Sequence, residues 1–309
     1  MYLAPLRGIT DRIFRNVFND HFGGFDSAVA PFISTSQGKK IKGFSLKEFA
    51  PISGNKMTTI PQILSRDPED FLPVADSLLE LGYDTINWNI GCPFPMVTGK
   101  GKGSGILPYP NKVEQFLDKV IPSLKQVLTI KLRLGMSYTD EILQLIPLFN
   151  NYPIGEIIIH ARTADQMYEG SVHLDSFEKC LAVSKHPIVY NGDIDSLSVF
   201  NEFAARFPDV GGWMIGRGVL KDPFLALEIR GNVPVEKSRK IVRIKLFHDD
   251  LFREYSAVLC GPSHLMDRMK EIWKYLSESF NDSTKVRKNI NKTVTLKQYQ
   301  NVVDKIFHT

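Results

Sequence analysis

Cys92 is the residue of this 309-residue chain best placed to do chemistry. It follows Thr85-Ile86-Asn87-Trp88-Asn89-Ile90-Gly91, a run whose branched and aromatic residues suit a buried strand. Pro93 and Pro95 come next and cannot continue a sheet ladder. Beyond them Gly99, Gly101, Gly103 and Gly105, with Lys100 and Lys102 between, have the composition of a mobile cationic loop. A free thiol has a pKa near ~8.5 and is mostly protonated at neutral pH. On such a loop it can donate its proton to a carbanion-like centre. A nucleophile and an inert buried thiol are the alternatives, and the setting between Gly91 and Pro93 counts against the second. Cys180 and Cys260 fall in helical patterns and read as inert. Three cysteines, widely spaced and never as CxxC, imply neither a disulfide framework nor a metal centre.

Two glycine-containing turns point to a phosphate. Gly216-Arg217-Gly218 and Asn191-Gly192-Asp193 offer exposed backbone N–H groups and a guanidinium, which suit a phosphate dianion. There is no P-loop, and no G-x-G-x-x-G in a strand-to-helix setting, so a dinucleotide-binding domain is not expected. Flavin mononucleotide suits a phosphate site of this kind. Lys131 could then place a cation beside the flavin pyrimidine edge, where it stabilises the reduced anion. Gln62 carries the donor and acceptor that gripping a ring edge requires. His160 stands after Ile157-Ile158-Ile159 and before Arg162; no HExxH or comparable metal spacing accompanies it.

These residues need a scaffold that gathers them. Eight strand-like segments recur: Tyr2–Pro5, Asp26–Pro31, Pro61–Ser65, Thr85–Gly91, Leu128–Gly135, Glu156–Arg162, Pro187–Gly192 and Gly212–Gly218. Helical patterns separate most of them, at Asp11–Asn19, Pro68–Leu81, Asn111–Val127, Asp140–Asn150, Asp175–Ser184 and Ser196–Phe207, and Asp222–Arg230 follows the last. The interval between the second and third strands is less regular. Alternation of this kind predicts a parallel sheet with right-handed crossovers, and eight units predict a (β/α)8 TIM barrel over 1–231. Chemistry in such barrels sits at the carboxyl ends of the strands. Those ends carry Ala4-Pro5-Leu6, Gln62, Asn89 with Cys92, Lys131 with Arg133, His160 with Arg162, Asn191-Gly192-Asp193 and Gly216-Arg217.

From 232 to 309 the pattern is helical only, predicting a small bundle with helices over Val235–Tyr255, Ser263–Phe280 and Leu296–Phe307. In the second, Leu265, Met269, Ile272, Leu276 and Phe280 form a core stripe, with Arg268, Lys270 and Lys274 on the other side. This tail holds 15 Lys+Arg against 9 Asp+Glu, whereas the remainder holds 23 against 25. The asymmetry suggests a polyanionic partner for the tail. Hydrophobic content of 43% and charged content of 23% describe an ordinary soluble protein. No run of ~18 apolar residues is present, so no membrane association is expected. The start Met1-Tyr2-Leu3-Ala4-Pro5 lacks a basic, apolar leader, and a cytoplasmic location is expected. Nothing implies a stable protein partner.

Taken together the motifs resemble the tRNA-dihydrouridine synthase family. The resemblance runs through Ala4-Pro5-Leu6-Arg7-Gly8-Ile9-Thr10-Asp11, Gln62-Ile63-Leu64, Asn87 to Pro93, Lys131 to Gly135, His160 to Gly170, Asn191 to Ile194 and Ile215 to Gly218, and into the tail at 264–276. It implies that NADPH reduces bound FMN, and that a uridine of the tRNA D-loop is extruded against the flavin. Hydride then passes to uracil C6 while Cys92 protonates C5. Asn89 would hold the uracil, with Arg162 beside it, and the tail residues Arg268, Lys270 and Lys274 would bind tRNA. Lys131 and Gln62 would lie against the flavin, and His160 against the flavin or the substrate carbonyl, with Ala4 to Leu6 close by. Gly216, Arg217 and Asn191 to Asp193 would hold its phosphate. The family usually has Met, Asp and Gly where this chain has Leu6, Asn87 and Ala161. Two rivals stand beside this reading. One is an FMN barrel acting on a free pyrimidine or enoate, which has no need of a basic tail. The other is an RNA-binding module that has lost catalysis, against which Cys92 and the phosphate motif speak.

Overall fold

Proline decides how the barrel closes. In the computed structural model, which describes residues 1–35, 48–50 and 54–308, ten parallel segments form one sheet. They are β1 (Tyr2–Leu3), β2 (Ser27–Val29), β3 (Ile33–Ser34), β4 (Thr58–Ile60), β5 (Gln62–Leu64), β6 (Thr85–Ile90), β7 (Val127–Gly135), β8 (Ile154–Thr163), β9 (Ile188–Asn191) and β10 (Gly212–Ile215). Pro61, which has no N–H to give a ladder, divides β4 from β5, and Pro31 falls between β2 and β3 in the same way. The halves stay in register: β2 pairs with β4, β3 with β5, and β5 with β6. Ala30 N–H donates to the Ile60 carbonyl at 2.9 Å, and Asn87 N–H to that of Pro61 at 2.8 Å. Counting each broken pair as one strand gives eight, and β1 joins β10 to β2 to close the ring. The third strand thus begins at Thr58 rather than at Pro61. Most of the irregular interval before it, 36–47 and 51–53, lies outside the described residues.

Among the described residues the helices of the barrel are α1 (Arg12–His21), α2 (Pro68–Glu80), the single turn α3 (Pro95–Thr98), α4 (Pro110–Val120), α5 (Ile142–Phe149), α6 (Leu174–Val183), α7 (Leu197–Arg206), α8 (Arg217–Lys221) and α9 (Leu225–Gly231). Two expected helices are corrected. The one expected to reach Val127 stops at Val120: Ile121 keeps helical angles (φ −58°, ψ −44°), but Pro122 after it has no N–H to continue the ladder; Val127 already opens β7, its N–H on the Asp84 carbonyl at 2.9 Å. The one expected over Asp222–Arg230 is two. Asp222 is extended (φ −128°, ψ 97°) before Pro223 and separates α8 from α9, and α8 starts at Arg217, where strand was expected.

Inside the barrel wall, Trp88 shows how the strands are pinned. It is fully buried, its Nε1 donates to the Ser65 carbonyl at 2.9 Å, and its ring stacks on Phe116 of α4 with centroids 3.9 Å apart. Trp88→Ala is expected to cost about 3–5 kcal/mol, read as a lowered midpoint of urea unfolding.

The tail comprises α10 (Lys237–Val258), α11 (Gly261–Leu276), α12 (Ser283–Asn291) and α13 (Leu296–Phe307). α12 was not expected from the sequence: Val286 and Ile290 are its only apolar residues, too few to mark an apolar stripe. The tail shares its core with the barrel. Phe247 of α10 packs edge-on against Phe14, Phe18 and Phe22 of and beside α1, at 5.8, 6.1 and 5.0 Å. The Tyr255 hydroxyl donates to Asp11 Oδ1 at 2.8 Å, and Arg268 pairs with Asp11 at 3.2 Å. Among the described residues no helix is long and apolar enough to cross a membrane.

Candidate active site

Alternation along β6 turns Asn87 and Asn89 to one face and Ile86, Trp88 and Ile90 to the other. The two asparagines enter a chain of amides across neighbouring strands. Asn89 Nδ2 donates to Gln62 Oε1 at 2.7 Å, Gln62 Nε2 to Asn87 Oδ1 at 2.8 Å, and Asn87 Nδ2 to Thr129 Oγ1 at 2.8 Å. Asn89 Oδ1 then accepts from the N–H groups of Gly91 at 3.1 Å and Cys92 at 3.0 Å. The amide row therefore fixes the turn that presents Cys92. An Asn at 87 can both accept from Gln62 and donate to Thr129, which a carboxylate cannot.

The segment after Cys92 is not the open loop expected. α3 and the 3-10 turn Gly103–Ile106 fold it back, with Gly103, Ser104 and Ile106 buried. Ser104 N–H donates to the Cys92 carbonyl at 3.0 Å. Gly103 has φ +55°, and a Cβ there would lie 2.5 Å from the Cys92 oxygen. Only glycine meets both demands. Lys102 turns inward to the Thr35 carbonyl. Cys92 itself is 7% exposed and lines a cavity. Burial pushes its thiol pKa up, only partly offset by Arg133, Arg7 and Lys131. The group is thus held protonated at neutral pH.

Two adjoining cavities open at the carboxyl ends of the strands. The first, about 310 Å³, is lined by Ala4 to Leu6, Asn191 to Asp195, Met214 to Gly218, Lys131, His160, Arg162, Tyr168 and Lys221. The second, about 540 Å³, is lined by Gln62, Asn89, Cys92, Arg133, Phe32 and others, and by Glu271, Lys274 and Tyr275 of α11. Pro5, Leu6, Lys131, His160, Tyr168, Arg217 and Lys221 border both. The structure therefore brings most of the expected site residues to one mouth, from strands far apart in sequence. Arg268 and Lys270 are elsewhere: Arg268 donates to the Gly8 carbonyl, and Lys270 Nζ to that of Thr293 at 2.6 Å. Of the three tail cations named from the sequence, Lys274 is the one at the cavity.

The first cavity is cationic. Arg162 makes a two-pronged pair with Asp193, one arm at 2.8 Å, and Arg217 reaches Asp193 Oδ1 at 3.0 Å. Asp193 adopts φ +43° after Gly192 at φ +143°; a Cβ on Gly192 would meet Val172 at 2.9 Å. Lys131 Nζ donates to Asn191 Oδ1 at 2.9 Å. Burial, with Arg133 adding to it, brings the Lys131 pKa down to about 7. Burial and then the charges of Arg133, Lys131, Arg162 and Arg217 hold His160 well below its usual range. Cations crowded enough to depress one another's protonation fit an anion. Without one, protonated Lys131 opposes folding: the unfolded chain binds this proton between about pH 7 and the ordinary lysine range, so stability rises with pH across that window. In flavin-free protein this rise is expected to flatten in Lys131→Met, measured by urea unfolding from pH 6 to 10.

Sequence reasoning gave no role to Tyr168, Lys221, Phe32 or Tyr275. Tyr168 lies between Arg133 and Arg217, whose guanidinium carbons are 5.3 and 4.9 Å from its ring centroid. Its signal was a tyrosine in a polar segment straight after a strand that ends in His160 and Arg162. Tyr275 gave no signal, since it sits one position off the core stripe of its helix.

Among solved structures, the fold is similar to an old yellow enzyme homologue from Zymomonas mobilis (TM-score 0.55, 11% identity, covering 76% of this chain and 89% of that one). It is also similar to morphinone reductase (TM-score 0.55, 9% identity, 76% and 86%). At such identity the likeness concerns architecture. In sequence the chain is 30% identical over 230 residues to tRNA-dihydrouridine synthase B of Pasteurella multocida, covering 73% of this chain and 67% of that protein. It is 29% identical over 244 residues to tRNA-dihydrouridine(16) synthase of Cupriavidus necator, covering 75% and 73%. The family model for dihydrouridine synthases (Dus) matches residues 2–309, and the chain belongs to that family of flavin-dependent oxidoreductases acting on CH–CH groups.

Proposed function

We propose that this protein reduces a uridine in the D-loop of tRNA to 5,6-dihydrouridine, with FMN as its flavin and NADPH as the reductant. The observation that carries this reading is the shared mouth: a protonated thiol and an anion-seeking cationic lobe open into one space, and a helix of the basic tail forms a wall of it. When bound, FMN would supply the hydride for this reduction, which the reading directs to uracil C6. Cys92 breaks its S–H bond and gives the proton to C5, and the thiolate left behind is reprotonated from water. Arg217 and Gly216, with Asn191 to Asp193 beside them, hold the phosphate. Lys131, Gln62 and His160 would hold the ring, with Ala4, Pro5 and Leu6 beside them. Neutral His160 can accept or donate a hydrogen bond without adding charge to an already cationic site.

Asn89 is assigned to the uracil side, where it also orients Cys92 through its Oδ1; Arg162, expected beside it, borders the first cavity and not the second, its guanidinium held by Asp193, and is assigned to the phosphate lobe instead. Inside folded RNA the uracil ring is out of reach, so the nucleotide must be extruded to enter. Residues 232–309 act as the tRNA-binding domain. Lys274 faces the entering nucleotide, and Arg268 and Lys270 hold the tail in place while contributing to its positive field. The assignment fits a cytoplasmic protein. Incubating purified holoenzyme with unmodified tRNA and NADPH, then mapping dihydrouridine by mass, tests the reading. Modification confined to the D-loop is expected; activity on free uracil but not on tRNA would favour a small-molecule reductase.

A further inference from the structure

The helix that the sequence pattern hid, α12, carries the tail's spare charge. Thr284, Arg287, Lys288 and Asn291, with Lys292 just beyond the helix end, fall at helical spacings that share one face. With Ser283 and Glu278 they line an open groove of about 490 Å³. Arg287, Lys288 and Lys292 are exposed, and among the described residues none of their side chains has a hydrogen bond or ion pair. Arg268 and Lys270, by contrast, are already engaged within the chain. Glu278 is the one carboxylate in the groove.

The groove is also connected to the catalytic mouth. α12 packs on α11, the helix that carries Lys274 and Tyr275, and on the 3-10 turn Ser277–Ser279. Tyr275 borders the Cys92 cavity beside Lys274 and Lys221, with Glu271 the carboxylate on that rim. Cations continued from a surface helix to an active-site rim, interleaved with neutral donors such as Thr284 and Asn291, match a chain of phosphodiesters. We infer that Arg287, Lys288 and Lys292, continued by Lys274 and Lys221, form a phosphate track along which the RNA backbone runs to the cavity. This rests on the tRNA reading above.

The test compares two charge-matched double variants of the holoenzyme binding unmodified tRNA across a salt series. One is Arg287→Ala with Lys288→Ala. The other is Lys125→Ala with Lys185→Ala, whose sites precede β7 and β9 at the opposite end of the barrel. Each phosphate contact contributes roughly 0.7–0.9 to the log–log salt slope. The α12 variant is therefore expected to lose about 1.5 from the slope, and about 30-fold in affinity at 0.1 M salt. Its flavin content and NADPH-driven flavin reduction should match wild type, and the control pair should bind as wild type. Wild-type turnover on tRNA with an unchanged slope in the α12 variant overturns the track alone. Equal losses in both doubles also overturn it, since net charge would then explain them. A wild-type protein that neither binds nor reduces tRNA overturns the tRNA reading and the track with it.

Discussion

Replacing Cys92 by alanine is expected to lower uridine reduction about 10²- to 10⁴-fold, the usual contribution of a positioned acid, while flavin stays bound and is still reduced by NADPH. The thiol lies in the second cavity, apart from the cation cluster around Asp193, so its loss leaves the phosphate lobe intact. Because burial raises the Cys92 pKa, the wild-type rate should hold through neutral pH and decline only on the alkaline side, as the proton to be donated is lost. Single-turnover measurements with pre-reduced enzyme, from pH 6 to 10, isolate this step from flavin reduction. A C92A enzyme with wild-type single-turnover rates would remove the thiol from the mechanism.

The second large effect concerns cofactor retention. Arg217→Ala removes a guanidinium from the rim of the first cavity and leaves Asp193 with Arg162 as its partner. A hydrogen bond to a charged group contributes about 1.5–3 kcal/mol, so flavin affinity should fall roughly 10- to 100-fold. Fluorescence titration of flavin-free protein with FMN measures it. Riboflavin, which lacks the phosphate, should bind wild type and variant alike; an equal loss for both ligands would place Arg217 against the ring instead.

What could be read from the sequence, and what could not, follows from the range of the forces involved. Strand positions were legible because runs such as Ile157-Ile158-Ile159 are apolar on both faces, and strand ends were marked by glycine, lysine and histidine. The convergence of Cys92, Lys131, His160 and Arg217 followed from barrel topology, in which all strand ends meet. Proline effects were local yet misjudged: Pro122 and Pro223 end or divide helices that periodicity alone had extended. Partners across space were not legible. Nothing adjacent in sequence shows that Arg268 reaches the Gly8 carbonyl, or that Tyr168 lies between two arginines. The loop after Cys92 read as open because glycine and lysine are common in solvent. Gly103 is instead required by a close approach to the Cys92 carbonyl.

Proton delivery by Cys92 to one carbon of a tRNA uracil is tested most directly by isotope. Holoenzyme is supplied with NADPH and unmodified tRNA in deuterated water, and the modified nucleoside is examined by NMR at an early time point. Exchange with solvent loads the thiol with deuterium, so the account predicts solvent deuterium at C5 in dihydrouridine made by the wild-type enzyme, and almost no product from C92A. Product formed by C92A at the wild-type rate with the same C5 label would contradict it.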